Sequence, residues 1–448
     1  MITVYVGAFI NPKSFSKVDF INHGMVSVDD QTGRINSVQQ FESAEALQTA
    51  ITTLSTDHKL VKLSPEQFLT PGFIDMHTHA PQYRNLGLGL DYTLLEWLQK
   101  VTFPEERSYA RQPHESPSEH NARVAHIYGH MVRHYLRYGT TTCCYFGGLH
   151  AEANRVLVQQ VVQLGQRALI GKTCMDCNSP SDYVESTADS VQATREFVEY
   201  VKKCDASLEI PGRVLPVVTP RFALTCSRDS MEKLAEIAIS TDVHIQTHMS
   251  ENLDEIQFSK ELFPECHNYA SIYSSVGLLT RKTFLAHCVH LNEAQRALLS
   301  NSGTAVSHCP TSNFALNSGV ADLRALAAAG IPVGLGSDVS GGYGLSILDA
   351  MRQAIIASKT LHFSDQKSKP LTVSEAFFLA TRGGAEALSI DVGSFEEGNF
   401  FDALLVDMTN CPSIRHQHET LEQSLHRFVF LGDDRWIRTV FVNGTALL

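Results

Sequence analysis

The chain has 448 residues, of which 43% are hydrophobic and 19% are charged, and its formal net charge is -12. A chain of this length is too long for one small domain. Its composition is that of an ordered globular protein rather than a disordered or fibrous one. The acidic balance argues against binding to nucleic acid or to anionic membrane surfaces, and it permits a neutral small substrate.

Residues 1–70 predict a small β-rich unit, because the strand-like pieces "TVYVGAFI" and "GMVSVDD" precede the helical run "SAEALQTAITTLS". The first residues lack the basic segment of a signal peptide. The ten cysteines are scattered along the chain, and several fall inside apolar strands, which is typical of reduced buried thiols. We therefore expect a cytoplasmic protein without disulfides.

The stretch "PGFIDMHTHAPQY", residues 71–83, ends an apolar run with two histidines, His77 and His79. Alternate side chains of a β-strand project to the same face, so the two imidazoles can bind one metal ion. An H-x-H pair alone is weak evidence, and two polar residues at a strand end are the simpler interpretation. Three further apolar strands end in residues of the same kind, namely His248, His287 and Asp338.

Between residues 71 and 390, apolar β-branched runs alternate with helical ones, which predicts parallel strands joined by crossover helices. Eight such strands favour a (β/α)8 TIM-like barrel, in which functional residues lie at the C-terminal strand ends. A doubly wound sheet is the alternative, but no G-x-G-x-x-G and no Walker A loop follows the first strand. The predicted strands are "GFIDMHTH", "TTTCCYF", "ALIGKTCMD", "VLPVVTPRF", "VHIQTHMSE", "TFLAHCVH", "TAVSHCPTSN" and "PVGLGSDVSGG".

The C-terminal stretches "FDALLVD" and "WIRTVFVNGTALL" also predict strands. Because a long α/β segment separates them from the N-terminal strands, we expect both ends of the chain to form one discontinuous domain. The predicted domains are a small β-sandwich made of residues 1–70 and 391–448, and a metal-dependent hydrolase barrel made of residues 71–390.

Three imidazole nitrogens and one carboxylate oxygen are a ligand set typical of Zn²⁺, although Fe²⁺ and Co²⁺ use the same donors. His287 is either a further ligand or a hydrogen-bond partner of the metal-bound water. We predict one zinc ion per chain, held by His77, His79, His248 and Asp338.

Glu251 follows His248 by three residues and is not needed as a ligand. A metal of this kind lowers the pKa of its bound water from 15.7 toward about 7. Attack of that water on an sp² carbon also needs a proton carrier. We predict that Glu251 carries the proton, and a solvated loop glutamate is the alternative.

Three other features have ordinary structural interpretations. The fourth predicted strand lacks the bridging lysine of binuclear hydrolases, which favours a single metal, and we expect Lys172 on the third strand to form an ion pair or hydrogen bond. "CMDC" at residues 174–177 has no second C-x-x-C, so structural thiols are favoured over a zinc ribbon or redox pair. The helical run at residues 90–106 contains Trp97, for which we expect core packing rather than substrate contact.

The motifs "PGFIDMHTH", "HMSE", "AHC", "HCPTSN" and "GLGSD", in this order, resemble the amidohydrolase superfamily and its mononuclear aminohydrolase branch. Further motifs, including "HAPQY", "LLEWLQKVTFPEE" and "TPRF", resemble the members of that branch that act on guanine. The resemblance implies hydrolytic removal of the C2 amine of guanine, which gives xanthine and ammonia in purine catabolism. It also implies a homodimer.

The resemblance further implies a role for each site residue. Glu251 would protonate N3 of guanine and then the departing amine, Asp338 would accept a proton or hydrogen bond from water, and His287 would steady the tetrahedral intermediate. Arg221 would hold O6 of guanine, Gln82 would contact the ring edge, and Phe222 would stack on the purine. The substrate would also lie against His79, His248, Glu251 and Asp338.

Two other hypotheses are weighed against this one. A related deaminase or chlorohydrolase would act on a triazine, an adenosine-type ring or an oxidised purine, and "HAPQY" and "TPRF" argue against it. A non-catalytic scaffold would be expected to have lost Glu251 or a metal ligand, and the sequence retains them all. A cytidine-deaminase type of zinc enzyme is excluded because the chain has no P-C-x-x-C.

Overall fold

A computed structural model describes residues 1–55, 57–366, 368–411 and 418–447. The strands form two sheets. The N-terminal strands are β1 (Ile2–Ser14), β2 (Lys17–Asp29), β3 (Ile35–Gln40), β4 (His58–Lys62) and β5 (Gln67–Pro71). The central strands are β6 (Phe73–His79), β7 (Thr140–Phe146), β8 (Arg167–Gly171), β9 (Thr173–Cys174), β10 (Val214–Pro220), β11 (His244–Met249), β12 (Thr283–His287), β13 (Ala305–His308) and β14 (Val333–Leu335). The C-terminal strands are β15 (Ala403–Asp407), β16 (Ile437–Val442) and β17 (Thr445–Ala446).

Strands from both ends of the chain form one eight-stranded mixed sheet. β1 pairs antiparallel with β2 and parallel with β4 and β5, and β15 pairs antiparallel with β5, which joins the two ends of the chain. Side chains of β1 alternate between faces, as strand geometry requires. Val4 and Val6 pack against Leu47 on one face, whereas Tyr5 stacks on Phe401 at a centroid distance of 4.7 Å on the other.

The predicted β unit built from both termini is therefore confirmed. Residues 56, 412–417 and 448 of that predicted unit lie outside the described residues. The domain boundaries at residues 70 and 391 stay a prediction.

The central strands form a parallel sheet in the order β6, β7, β8, β10, β11, β12, β13, β14, with the short β9 pairing to β10. Its two ends meet beyond β14, because the Asp338 N–H donates to the His77 carbonyl at 2.8 Å and the His79 N–H donates to the Val339 carbonyl at 3.0 Å. The predicted TIM-like barrel and its strand order are confirmed. The third predicted strand is divided at Lys172 into β8 and β9.

The helices cover the barrel and flank both sheets. They are α1 (Ala44–Thr52), α2 (Leu94–Trp97), α3 (Phe103–Arg107), α4 (Pro117–Arg137), α5 (Ala151–Leu164), α6 (Thr187–Ala206), α7 (Arg228–Thr241), α8 (Leu253–Leu262), α9 (Tyr269–Ser275), α10 (Glu293–Ser302), α11 (Pro310–Ala315), α12 (Leu323–Ala328), α13 (Ile347–Asp365), α14 (Val373–Ala380), α15 (Arg382–Leu388) and α16 (Leu421–Leu431). Short 3-10 turns span Ala80–Asn85 and Asp434–Trp436.

The helical run predicted over residues 90–106 is not one regular helix. A π-helical turn, Leu98–Thr102, separates α2 from α3. Pro104 explains the break, because a proline has no N–H for the bond four residues back and its ring clashes with that carbonyl. The widened turn leads into α3, which brings its buried end toward the mouth of the barrel.

Within the described part of the chain, no helix is long and apolar enough to cross a membrane. All ten cysteines lie in the described ranges, and nine of them are free thiols, namely Cys143, Cys144, Cys174, Cys177, Cys204, Cys226, Cys266, Cys288 and Cys309.

Candidate active site

Four side chains at the C-terminal ends of the barrel strands form a buried group that can hold a metal ion. Their ligand atoms all lie within 4.8 Å of one another. His79 Nε2 lies 3.1 Å from His248 Nε2, and Asp338 Oδ1 lies 3.2 Å from His77 Nε2 and 3.4 Å from His79 Nε2. The metal-binding group consists of His77, His79, His248 and Asp338.

The surroundings of this group fit a metal ion. The buried Nε2 of His77 has no hydrogen-bond partner among the described residues, and a buried polar atom without a partner is costly unless a ligand satisfies it. His248 donates its Nδ1 proton to the Arg221 carbonyl at 2.7 Å, which leaves Nε2 free to bind a metal. Burial lowers the pKa of His79 and of His248, so both imidazoles stay neutral, as ligands must be.

Asp75 holds the two ends of the barrel sheet in register beneath the metal-binding group. Its buried carboxylate accepts hydrogen bonds from the His77 N–H at 3.1 Å and from the Ser337 N–H at 3.0 Å. The segment that carries Asp338 is thereby fixed against the strand that carries His77.

Three ionisable side chains adjoin one another on the pocket side of the group. His287 Nε2 lies 3.4 Å from Glu251 Oε2 and 3.7 Å from Asp338 Oδ2. Burial raises the pKa of Glu251 to about 7. Burial alone would also raise the pKa of Asp338, but the close contact with His77 and the other neighbouring imidazoles hold it well below its usual range. One carboxyl can therefore carry a proton near neutral pH while the other stays charged.

A pocket opens beside these groups and is lined by several of them. Trp97 lines it and also belongs to the main hydrophobic core, and its buried indole N–H has no partner among the described residues. The predicted core packing of Trp97 is confirmed, and the side chain also faces the pocket. The lining residues are His79, Gln82, Leu94, Trp97, Leu98, Arg221, Phe222, His248, Glu251, His287, Leu316 and Asp338.

Comparison with known proteins agrees with this geometry. A model of the amidohydrolase family matches residues 68–447. The guanine deaminase of Dictyostelium discoideum is 38% identical over 456 residues, which cover 100% of this chain and 98% of that protein. The probable guanine deaminase of Schizosaccharomyces pombe is 41% identical over 451 residues, which cover 98% of this chain and 82% of that protein.

The chain belongs to the guanine deaminase branch of the amidohydrolase family. A crystal structure of guanine deaminase from C. acetobutylicum, with guanine bound in its active site, matches with a TM-score of 0.89 and 32% identity over 100% of both chains. The motif-based assignment to the family is confirmed.

Sequence reasoning missed one buried residue that organises the amidohydrolase pocket. Glu106 accepts hydrogen bonds from Arg221 Nη1 at 2.7 Å and Nη2 at 3.1 Å, from Gln82 Nε2 at 2.7 Å, and from the Tyr183 hydroxyl at 2.9 Å. Burial alone would lower the pKa of Arg221, but the Glu106 carboxylate raises it. The only signal in the sequence was an acidic residue at the end of an apolar helical run.

Two further pocket residues were also missed. Asn313 Oδ1 lies 2.9 Å from His287 Nδ1, and the Ser318 hydroxyl donates to Glu251 Oε1 at 3.1 Å. Asn313 ends the motif "HCPTSN", which was used only to recognise the superfamily. Both residues follow β13, so they reach His287 and Glu251 from the short helix and the loop beyond the strand.

The structure also shows the surroundings of Lys172 and of the two cysteines of "CMDC". Lys172 forms an ion pair with Glu185 at 2.6 Å and donates to the Thr173 carbonyl at 3.0 Å, so its predicted ion pair is confirmed. Burial raises the pKa of Cys174 and, to about 11, that of Cys177. Neither cysteine belongs to a metal-binding cluster among the described residues.

Proposed function

We propose that the protein hydrolyses guanine to xanthine and ammonia, using one zinc ion per chain held by the metal-binding group. The observation that carries the proposal is the pocket itself, in which Arg221 and Gln82 line the same cavity as the metal-binding group. The chain's membership of the guanine deaminase branch supports the same substrate.

The donor set supports zinc, since three imidazoles and one carboxylate suit a tetrahedral zinc site. When bound, such a metal acts as a Lewis acid that lowers the pKa of a water to about 7 and makes it a nucleophile at neutral pH. His287 lies beside the metal-binding group, and its distances to Glu251 and Asp338 favour a hydrogen-bonding role over that of a further ligand.

Glu251 moves the protons in the proposed reaction. As water adds to C2 of guanine, Glu251 transfers a proton to N3, and it then helps to deliver a proton to the departing amine, so that ammonia leaves and a carbonyl forms. Asp338 accepts a hydrogen bond from the attacking water, and His287 stabilises the oxygen of the tetrahedral intermediate. The pKa of about 7 for Glu251 supports this role, because a proton carrier works best near the operating pH.

Recognition of guanine rests on donors that are already held in place. Glu106 fixes both terminal nitrogens of Arg221, whose remaining N–H groups can donate to O6 of guanine. Adenine carries an amine donor at that position, which would leave the Arg221 donors unpaired. A mismatch of this kind can reach about 10⁴ to 10⁵ in discrimination. Gln82 contacts the ring edge, and Phe222 stacks on the purine beside His79 and His248.

We also propose that the protein is a cytoplasmic homodimer, and analytical ultracentrifugation would test the dimer. The free thiols support a reducing compartment. The family resemblance supports the dimer.

The test of the proposed function is ultraviolet monitoring of zinc-analysed protein with guanine, with adenine and a triazine as controls. Formation of xanthine at about one zinc per chain, with no reaction of the controls, is the expected result. Turnover of the triazine or adenine in place of guanine by zinc-replete protein would overturn the substrate assignment and leave the metal site standing.

A further inference from the structure

A second cluster of metal-ligating side chains lies on the outer side of the barrel. The Tyr83 hydroxyl lies 2.8 Å from His130 Nδ1 and 2.9 Å from His134 Nδ1. The two histidines are four residues apart on α4, so they are neighbours on one face of the helix. Tyr83 approaches from the 3-10 turn that follows β6. Two imidazole nitrogens on one helix face therefore point at the same hydroxyl oxygen, which comes from a separate element.

Hydrogen bonds satisfy the Tyr83 hydroxyl and both Nδ1 atoms only in some protonation states of the two histidines. The hydroxyl has a single proton, so it can donate to one imidazole nitrogen while the other nitrogen must carry a proton and donate to it. If both imidazoles turn their unprotonated Nδ1 atoms to the centre, one of them has no donor. A divalent cation held by the two Nδ1 atoms satisfies both nitrogens, and the neutral Tyr83 hydroxyl can add its oxygen as a third, weaker donor.

The geometry suits a transition-metal ion. Tetrahedral zinc with bonds of about 2.0–2.1 Å separates its ligands by about 3.3 Å, and the hydroxyl-to-nitrogen distances of 2.8 and 2.9 Å need only a small outward movement to reach that value. Imidazole nitrogens are common ligands of Zn²⁺, Cu²⁺ and Ni²⁺, and two histidines four residues apart on a helix are a known chelating pair.

We propose that Tyr83, His130 and His134 form a second divalent transition-metal site, distinct from the metal-binding group at the barrel mouth. The His130 side chain is exposed, and those of Tyr83 and His134 are half-buried, so an ion can enter from solvent and water can complete its coordination.

The charged groups around the cluster leave room for a cation. Arg137, one turn beyond His134, forms an ion pair with Asp434 at 3.2 Å, which offsets its positive charge. The other face of the His134 ring packs against Tyr138 at a centroid distance of 5.1 Å, which restricts the imidazole. The two histidines are thus partly preorganised on a regular helix. Tyr83 lies four residues beyond the end of β6.

The experiment measures zinc content after equilibrium dialysis of protein whose barrel-mouth site is already loaded, at a series of free Zn²⁺ concentrations. Wild type is expected to bind one zinc ion per chain more than either His130→Ala or His134→Ala. Tyr83→Phe is expected to weaken the additional binding by a smaller factor, because both imidazoles remain. His126→Ala is the matched control, since it removes an exposed histidine one turn before His130 on the same helix, and it should keep the additional ion.

Equal zinc content in wild type and all four variants would overturn the proposal, and so would the absence of any additional ion in wild type. Anomalous scattering at the zinc edge from wild-type crystals gives a second test that does not depend on the folding of a variant. A peak between the rings of His130 and His134 is expected. Anomalous density confined to the barrel mouth at saturating Zn²⁺ would overturn the assignment.

Discussion

The two ends of the barrel both bury charged side chains, but they differ in how completely those charges are paired. At the N-terminal end, Arg167 is the first residue of β8 and forms an ion pair with Asp402 through contacts of 2.7 and 3.2 Å. Arg167 also donates to the Gly212 carbonyl at 3.0 Å and to the side-chain oxygen of Asn443. The backbone N–H of Asn443 donates in turn to the Asp402 carboxylate at 2.8 Å. This cluster fastens the barrel to the mixed sheet.

At the C-terminal end, the polar atoms are left partly unpaired. Nε2 of His77, Nε2 of His287 and the indole N–H of Trp97 are buried without a hydrogen-bond partner in the described part of the chain. His287 and Asp338 also adopt the left-handed backbone region, with φ of 71° and 47°, at a cost of about 1–3 kcal/mol each.

Buried polar groups therefore have two different roles at the two ends of the barrel. Full pairing at the N-terminal end stabilises the joint between the sheets, as is usual on that side of a barrel. Incomplete pairing at the mouth keeps donors and acceptors available for a metal and a substrate. Substitutions at the two ends should therefore change different measured quantities.

The largest effect is expected for Glu251→Gln, which removes the proposed proton carrier and preserves its shape. We expect kcat to fall by about 10²- to 10⁴-fold with zinc content unchanged and thermal stability not lowered. Burial raises the pKa of this carboxyl in the folded state, so its charged form destabilises the fold above its ordinary pKa. Steady-state kinetics, metal analysis and thermal unfolding measure the three quantities. Glu261→Gln on the exposed face of α8 is the control, and normal turnover in metal-replete Glu251→Gln would exclude the proton-carrier role.

Arg167→Met is expected to give the opposite pattern. The free energy of unfolding should fall by about 3–5 kcal/mol, because Asp402 is left buried with an uncompensated charge. The kcat of the folded enzyme should stay near that of wild type. Chemical denaturation is the measurement, and Lys233→Met is the control, because its exposed pair with Asp229 contributes about 0.5 kcal/mol or less. A large loss of kcat with little loss of stability would contradict the division between the two ends.

Arg221→Met tests recognition within the mouth. We expect kcat/KM for guanine to fall by about 10²-fold, which corresponds to a loss of about 3 kcal/mol in transition-state stabilisation, as is typical of a missing donor to a developing charge. The free energy of unfolding should fall as well, because Glu106 is left buried without its charged partner. The substrate 2-aminopurine lacks O6, so the same substitution should affect it less. Kinetics with both substrates would check this, and an equal loss with the two would remove Arg221 from the recognition of O6.

Glu106→Gln should have the smallest effect of the four. The amide has one acceptor oxygen in place of two, so some of the N–H and O–H donors of Arg221, Gln82 and Tyr183 lose their acceptor. A hydrogen bond to a charged group contributes about 1.5–3 kcal/mol. We expect kcat/KM to fall by about tenfold to a hundredfold, mainly through KM. Glu105→Gln is the control, because Glu105 pairs with Arg84 at the surface. A Glu106→Gln enzyme with the kinetics of its control would show that the network does not position the pocket.

Much of the site was accessible from the sequence because its signals are local. His77 and His79 share a face through the period of a strand, and the ends of β11 and β12 supply His248 and His287 in the same way. Parallel strands bring their C-terminal ends to one rim, so chain order and strand pattern together predict that these groups meet. Asp338 lies in the loop three residues beyond the end of β14, whereas the sequence predicts it at the end of the strand itself.

Only the tertiary structure decided the contacts between distant segments. Glu106 reaches Arg221 across 115 positions of the chain, Arg167 reaches Asp402 across 235, and no periodicity links either pair. The sequence by itself determined most of the elements, their order and the strand ends that carry the candidate metal ligands, because these follow from backbone geometry and hydrophobic period. The pairing of buried charges depends on loop paths and packing, so it became visible only once the chain was folded.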